Sequence, residues 1–467
     1  MRVPWGSGRF DRVLVYGLGL SGRAAARLLL DRGVEVVGVD SKPADKLDLG
    51  DLAGRIEVLA GGEPLELPAE VDGVVLSPGV PPDRPLLEDA RRFRVPVIAE
   101  VELAFLFLNG PVVAITGSNG KSTTTALTGE MLRAAGRKVE VCGNIGEPLS
   151  DKVDGPPGRI FVVEMSSFQI EGIETFKPRA AAFLNLSEDH LDRYAGLDAY
   201  AAAKARLFRD MDEEGIAVLN ADDPVSSGTE TRARRRLFSR RHRVEDGCWV
   251  DGDGRVVETV PGGEDVELFR AGDLQIAGVH NLENAMAAAL LARALGAEPA
   301  ALKKALAGFA GLPHRLQKMG ERDGVVWYDD SKGTNPDATS KSLEGFPDGS
   351  VHLILGGRNK GADLSVLVPI VRQKARRVYL IGEAAGDFEK LLGDVPRETP
   401  GTMDRAVRSA AKKAKAGEVV VLSPACASFD QFRNFVHRGQ VFQELVRAAT
   451  ATTTTTEGGD DAAEAGV

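Results

Sequence analysis

Short apolar runs recur along the chain, and most are followed by a stretch in which Ala and Leu return at helical spacing. Residues 13–16 read as a buried strand, 21–32 as a helix and 34–39 as a second strand, and runs at 74–76 and 95–98 continue the series. Strands alternating with helices in this order predict a mostly parallel sheet with helices on its faces. The pattern restarts at 112–115, with a helix over 121–135, strands near 139–141 and 160–163, further runs at 180–184 and 216–219, and an Ala/Leu helix over 281–295. It starts a third time after Leu312-Pro313, with runs at 325–328, 351–355, 378–381 and 419–422. Three series predict three α/β domains, 1–99, 100–311 and 312–447. Two segments break the rhythm. Residues 232–274 are charged, Gly-rich and short-periodic, which predicts an irregular β excursion, a surface elaboration without chemistry. Residues 448–467 hold a run of threonines followed by Gly, Asp, Glu and Ala, with nothing large to bury, and predict a disordered tail.

Composition agrees with this picture. The 467 residues, at about 150 per domain, make roughly three domains. The formal charge of −10 argues against a nucleic-acid partner, which would need a basic footprint. Cys142, Cys248 and Cys426 are too few and too scattered for a disulfide framework or a zinc site, which fits a reducing cytoplasm. The polar start predicts no signal peptide. The apolar stretch 95–115 is interrupted by Glu100, Glu102 and Asn109, so no membrane span is expected.

Two glycine loops carry the candidate chemistry. Gly17-Leu18-Gly19-Leu20-Ser21-Gly22 follows a strand and opens a helix, and Asp40 closes the next strand. Glycines there let the backbone approach a pyrophosphate at a helix N-terminus, and the acid can accept from a ribose hydroxyl. A dinucleotide site and a plain tight turn both fit this loop alone. Ser77-Pro78-Gly79 ends another strand of the same unit, on the edge where such sheets bind ligands, which fits a nucleoside-diphosphate pocket without redox chemistry.

The second loop, Thr116-Gly117-Ser118-Asn119-Gly120-Lys121-Ser122-Thr123, lies between a strand and a helix. Its amides can wrap phosphate oxygens, Lys121 can reach the β- and γ-phosphates, and Ser122 can ligate Mg²⁺, so it predicts ATP binding. Ile115 stands where the full P-loop pattern has its first Gly. Glu164, at the end of a neighbouring strand, is placed to hold the same Mg²⁺. His190, among acids, reads by itself as a surface residue or local cap. Lys204 reads as a helix lysine whose stem snorkels to water.

Taken together, the segments TGSNGKST, NLSEDHLDRY, GVHNLEN at 278–284, GLPHR at 311–315, DSKGTN at 330–335 and SPACASFDQF at 423–432 resemble the Mur ligases of bacterial cell-wall synthesis, in the same order over residues 11–447. The C-terminal segments point to the branch that adds D-glutamate. The resemblance implies three α/β domains: a Rossmann-like domain for UDP, a central P-loop ATPase-type domain and a Rossmann-like C-terminal domain for the amino acid. It implies UDP-N-acetylmuramoyl-L-alanine, D-glutamate and ATP as partners, two Mg²⁺ ions, and a monomer. By the same resemblance Leu20, Ser21, Asp40, Ser41, Ser77, Gly79, Asn144, Ser166 and Gln169 contact the UDP substrate. Residues Gly117 to Thr123, with Asn281, Asn284 and Arg315, contact ATP. Lys332, Thr334, Lys360, Ser428 and Phe435 surround D-glutamate. Lys204 becomes a carbamate formed from CO₂, and Ser122, Glu164, His190 and that carbamate face the metal ions, with Lys121, His190 and Lys204 catalytic. A sister ligase for another amino acid, and an NAD-dependent dehydrogenase built on the first loop, stand as alternatives.

Overall fold

The computed structural model describes residues 4–5, 8–191, 193–276 and 278–450. The chain divides into two compact bodies, with the boundary between Leu312 and Pro313. Besides the short antiparallel pair Pro4–Trp5 and Gly8–Arg9, the first body contains two large sheets among the described residues. Among the described residues, the N-terminal sheet has five parallel strands in the order Glu57–Ala60, Glu35–Asp40, Arg12–Tyr16, Gly73–Leu76, Val97–Ala99. Apolar runs such as Arg12–Tyr16 bury nearly every residue, because helices cover both faces of a parallel sheet.

The central sheet has nine strands among the described residues. Val112–Thr116, fully buried, lies between Arg159–Glu164 and Ala180–Phe183, and all three run parallel. Helix Val279–Ala294 covers this sheet. It is a core helix buried on most of its surface, and its run of alanines lets its backbone approach the strands closely.

The two sheets of the first body share one hydrophobic core. Val15 and Leu29 of the first series cluster with Ala114, Phe161 and Phe183 of the second. At the expected boundary near residue 99, Ala99 N–H donates to the Gly172 carbonyl at 2.8 Å, and helix Glu100–Phe105 buries its first five residues.

The reading of 232–274 as an irregular surface elaboration is corrected. Arg234–Ser239 and Gly247–Val250 extend the central sheet in parallel, and Arg255–Thr259 and Val266–Arg270 finish it antiparallel. Phe238, Cys248, Val256, Leu268 and Phe269 join the core under Val279–Ala294. The charges that disguised this pattern pair internally. Glu258, buried, accepts from Arg236 at 2.8 Å and from Arg293 at 2.9 Å. Removing one member of such a buried group strands the others without a counter-charge. Glu258→Ala is therefore expected to cost about 3 kcal/mol, read as a fall in the denaturant midpoint.

The second body has a six-stranded sheet among its described residues. Its order is Gln317–Arg322, Val325–Asp329, Val419–Leu422, Val351–Gly356, Ala375–Ile381, Arg397–Gly401, with only the first strand antiparallel. Its last helix, Phe435–Thr450, runs past the expected limit at 447. The rest of the predicted tail lies outside the described residues.

Candidate active site

The P-loop leaves the buried strand Val112–Thr116 at its C-terminal end and enters helix Lys121–Ala134. Gly120 has φ +83°, and a Cβ there would come within 2.1 Å of Asn284 Oδ1. Both the backbone angle and the space require glycine. The contact brings Asn284 of helix Val279–Ala294 onto the loop. Asn284 accepts from Thr124 Oγ1 at 3.3 Å and donates to Asn281 Oδ1 at 3.1 Å, so both asparagines are linked to the helix that follows the P-loop. Gly120→Ala is expected to cost at least about 2 kcal/mol and to weaken ATP binding, measurable by thermal melts with and without nucleotide.

Segment 185–187 clasps the loop from the other side. Ser118 N–H donates to the Asn185 carbonyl and Asn119 N–H to Asn185 Oδ1, each at 2.9 Å. Ser118 Oγ donates to the Ser187 carbonyl and accepts from Ser187 N–H, each at 3.0 Å. Two amides expected to wrap phosphate are therefore spent on holding the loop in shape. The helix N-terminus that begins at Lys121 is the element whose dipole suits an anion. Asn185 and Ser187 were not singled out from the sequence, since no periodicity marks a loop that braces another loop.

Lys204 departs most from its bland sequence reading. On helix Leu197–Ala205 it is 1% exposed, so it does not snorkel to water. Its Nζ donates to the Gly117 carbonyl at 2.9 Å and lies 4.3 Å from the centre of the Tyr200 ring. Lys121 Nζ donates to the same carbonyl at 2.8 Å and to that of Ser118 at 3.0 Å. Burial, then the nearby Lys121 charge, push the Lys204 ammonium well below the usual lysine range, against the weaker pull of Asp189 and Glu164. The result is a lysine biased toward the neutral, nucleophilic amine.

Glu164 ends strand Arg159–Glu164 and is 2% exposed, and its Oε1 accepts from Asn144 Nδ2 at 2.7 Å. His190 has φ +56°, and its backbone N–H donates to Asp189 Oδ1 at 2.9 Å. Its ring meets Phe168 edge-on at 4.8 Å and Tyr200 at 6.3 Å, so it packs on the aromatic wall beside Lys204 while its side chain stays 33% exposed. Among the described residues no group of three or more His, Cys, Asp or Glu side chains is arranged to hold a metal ion. The donors near the loop are instead mixed: the Ser122 hydroxyl, the Glu164 carboxylate, His190 and the Lys204 amine. Hydroxyl and carboxylate oxygens suit Mg²⁺, and a carbamate on Lys204 would add another oxygen donor.

In the first glycine loop, Gly17 N–H donates to the Val39 carbonyl at 2.7 Å, and Ser77 Oγ donates to the Gly17 carbonyl at 2.6 Å. A Cβ on Gly22 would lie 1.8 Å from that carbonyl, so the third glycine lets helix Leu20–Asp31 sit against the loop. Asp40 accepts from Leu18 N–H at 2.8 Å and from Lys42 N–H at 2.9 Å, so it shapes this loop and the next. Leu20 is 67% exposed beside it; Ser41 and Gly79 are also exposed. Ser166 and Gln169 form a capping box at the start of helix Ser167–Glu171, a structural task the resemblance did not imply. Arg193, also not singled out, donates to the Pro78 carbonyl at 3.3 Å and pairs with Glu171 at 2.6 Å, joining the ends of two different sheets.

In the second body, Lys332, Thr334, Lys360 and Ser428 lie on loops beyond the C-terminal ends of three adjacent parallel strands. That is the edge where open α/β sheets bind ligands. Lys332 Nζ sits 4.0 Å from the centre of the Phe435 ring. Arg438, fully buried and absent from the sequence-based set, ties the loops together. It donates to the carbonyls of Ser331 at 2.8 Å and Cys426 at 3.0 Å and to Ser331 Oγ at 3.0 Å. Arg315 lies in this body, where its charge acts on buried Asp330. His314 is buried against Asp329 at 2.7 Å, and Gly439 is the only residue type that leaves room for its ring, 2.1 Å from where a Cβ would stand.

Comparison with known proteins supplies the family. Residues 11–99 match the family described as Mur ligase MurD-like, N-terminal domain; 115–292 match the Mur ligase middle domain; and 314–426 match the Mur ligase, glutamate ligase domain. The UDP-N-acetylmuramoylalanine–D-glutamate ligase of Koribacter versatilis is 44% identical over 94% of this chain and 98% of its own. That of Acidobacterium capsulatum is 43% identical over 94% and 96%. In fold, the chain resembles MurF ligase from Thermotoga maritima in complex with ADP, with a TM-score of 0.60 at 19% identity over 89% of this chain and 95% of that one. It also resembles UDP-N-acetylmuramate-alanine ligase from the same organism, with a TM-score of 0.59 at 18% identity over 94% and 99%. With a P-loop, a buried lysine at its mouth, and relatives this similar over nearly their whole length, the chain belongs to the Mur ligase family, in its D-glutamate-adding branch.

Proposed function

We propose that the chain joins D-glutamate to UDP-N-acetylmuramoyl-L-alanine with ATP, releasing ADP and phosphate, in the cytoplasmic synthesis of the peptidoglycan precursor. The observation that carries this reading is the meeting of Lys121 and Lys204 on one P-loop carbonyl. A phosphate-binding lysine is placed beside an amine whose pKa burial lowers.

A carboxylate and an amine do not condense unaided. One alanyl carboxylate oxygen attacks the γ-phosphorus, forming a C–O–P link as ADP leaves. The D-glutamate amine then attacks the acyl carbon, loses a proton, and the tetrahedral intermediate expels inorganic phosphate. No protein nucleophile is required. The chain's task is to hold two anions within about 3–3.5 Å and to offset their repulsion. Lys121 and the helix N-terminus behind it meet the phosphates, with Asn281, Asn284 and Arg315 as further ATP contacts. Leu20, Ser21, Asp40, Ser41, Ser77, Gly79, Asn144, Ser166 and Gln169 receive the UDP substrate, and Lys332, Thr334, Lys360, Ser428 and Phe435 receive D-glutamate.

The neutral Lys204 amine adds to CO₂ and releases one proton, giving a carbamate anion where a cation stood. Ser122, Glu164, His190 and this carbamate would hold two Mg²⁺ ions. When bound, Mg²⁺ supplies charge neutralisation on the phosphate oxygens. The deciding experiment measures ADP release with and without each substrate. Release that requires both UDP-N-acetylmuramoyl-L-alanine and D-glutamate supports the reading. Turnover with another amino acid in place of D-glutamate, or reduction of NAD, overturns it.

A further inference from the structure

Two buried glutamates stand two positions apart on the helix Glu100–Phe105 that joins the sheets of the first body, each 1% exposed. They are treated very differently. Glu102 is compensated on both oxygens by the backbone N–H groups of Glu174, Thr175 and Phe176 and by the Thr175 hydroxyl. Glu100 receives the Ser150 N–H on Oε1 at 2.7 Å, and its buried Oε2 has no hydrogen-bond partner among the described residues. An ionised carboxylate with one bare oxygen in a dry site is unfavourable, whereas a protonated one loses little.

The Ser150 amide and hydroxyl favour the charged form of Glu100, but they only partly offset the cost of burying it. The neighbour that acts on it electrostatically is Asp151, an anion engaged by Arg27. On the strand Lys138–Gly143, Cys142 is a buried thiol and Glu140 is paired with Arg159. Lys152 is taken by Glu147. Burial, outweighing the Ser150 hydrogen bonds and helped by Asp151, pushes the Glu100 carboxyl up to about 7.

What Glu100 holds gives it consequence. Ser150 lies in the short 3-10 turn Leu149–Lys152, whose Asp151 pairs with Arg27 at 2.9 Å; just beyond the turn, Asp154 pairs with Arg32 at 2.7 Å. Both arginines belong to the helix that opens at the first glycine loop or to its C-cap. At its other end the segment is pinned where Asn144 N–H donates to the Glu164 carbonyl at 2.9 Å and its side chain to Glu164 Oε1. Segment 144–150 is thus tied through Asn144 to the neighbourhood of the P-loop and, through Asp151 and Asp154 just after it, to the helix of the first glycine loop, with Glu100 as its anchor at Ser150.

We propose that Glu100 is a positioning residue, a proton-dependent latch whose neutral form keeps segment 144–150 seated and so aligns the UDP substrate with the P-loop. Ionisation leaves a charge in a dry site beside Asp151; that cost exceeds what the strengthened Ser150 bonds return, and it favours opening of the segment to water. This inference rests on the ligase reading for its substrate, but not for its latch. A carboxyl with a raised pKa favours the folded state when protonated, so its contribution is lost as pH rises from about 4.5 toward 7.

The test compares the full-length wild type with Glu100→Gln, which keeps the Ser150 acceptor and cannot ionise, and with Glu100→Ala, which removes the acceptor. The unfolding midpoint of wild type should fall relative to that of Glu100→Gln between pH 5 and 8. Between pH 6 and 8 the wild-type KM for the UDP substrate should rise roughly three- to tenfold more than in Glu100→Gln, with little change in KM for ATP. Glu100→Ala should raise the UDP-substrate KM at every pH. A Glu100→Gln variant that keeps the wild-type pH slope of the unfolding midpoint overturns the latch, whatever the substrate. Equal shifts in both KM values overturn its alignment role.

Discussion

Replacing Lys121 with alanine is expected to abolish acyl-phosphate formation, lowering ADP release by at least about a thousandfold. The side chain bends back so that its ammonium meets the Gly117 and Ser118 carbonyls. Those neutral acceptors are weak partners compared with a triphosphate, so the contact can be exchanged for phosphate oxygens when nucleotide arrives. The arrangement pre-positions a cation at the point where charge develops during transfer. Alanine leaves the loop's clasp by Asn185 and Ser187 intact, so folding should be retained while chemistry is lost. A coupled assay for ADP, with trapping of the acyl phosphate as a hydroxamate, separates the two. A Lys121→Ala enzyme that turned over at the wild-type rate would remove the P-loop from the mechanism.

Lys204→Ala should be nearly as damaging, with a loss of about a thousandfold that a small carboxylate such as acetate partly restores. The rescue follows from the carbamate reading, because the missing group is then an anionic oxygen pair that a diffusing carboxylate can mimic. Restoration by ammonium instead of acetate, or an unaffected variant, would count against it. Wild-type enzyme depleted of CO₂ should also lose activity and regain it with bicarbonate. The stability effect has a definite sign. A lysine whose folded-state pKa is lowered binds fewer protons folded than unfolded, so unmodified protein loses stability as pH falls from the ordinary lysine range. Lys204→Met, similar in shape and uncharged, should melt higher than unmodified wild type near pH 7 and show a flatter pH dependence.

Much of the candidate site is legible in the chain itself because its parts are local. The P-loop announces itself through Gly117, Gly120, Lys121 and Ser122 between an apolar strand and a helix, and the first loop through three glycines whose roles are steric. Lys204 and His190 are different. Nothing local distinguishes a helix lysine that reaches solvent from one that ends at Gly117, since the distinction depends on which helix face meets the sheet. Only the family resemblance pointed to these two residues before the fold did. Residues 232–274 failed for a related reason. Their arginines and acids read as solvated charge, yet Arg236 and Glu258 neutralise each other inside the sheet extension.

Sequence alone determined the alternation of strand and helix, the three α/β series, both glycine loops and, through the spacing of several motifs together, the family. These follow from short-range rules: periodicity, turn chemistry and the need for φ > 0 at particular glycines. Tertiary structure alone decided which polar groups leave water. It buried Lys204 beside Lys121, compensated Glu102 while leaving one oxygen of Glu100 bare, and set Arg438 beneath the loops at 331 and 426. The physical reason is that desolvation is a property of the assembled fold. Neighbouring residues along the chain do not set it; elements brought together from distant parts of the sequence do, and with it they set charge state and reactivity.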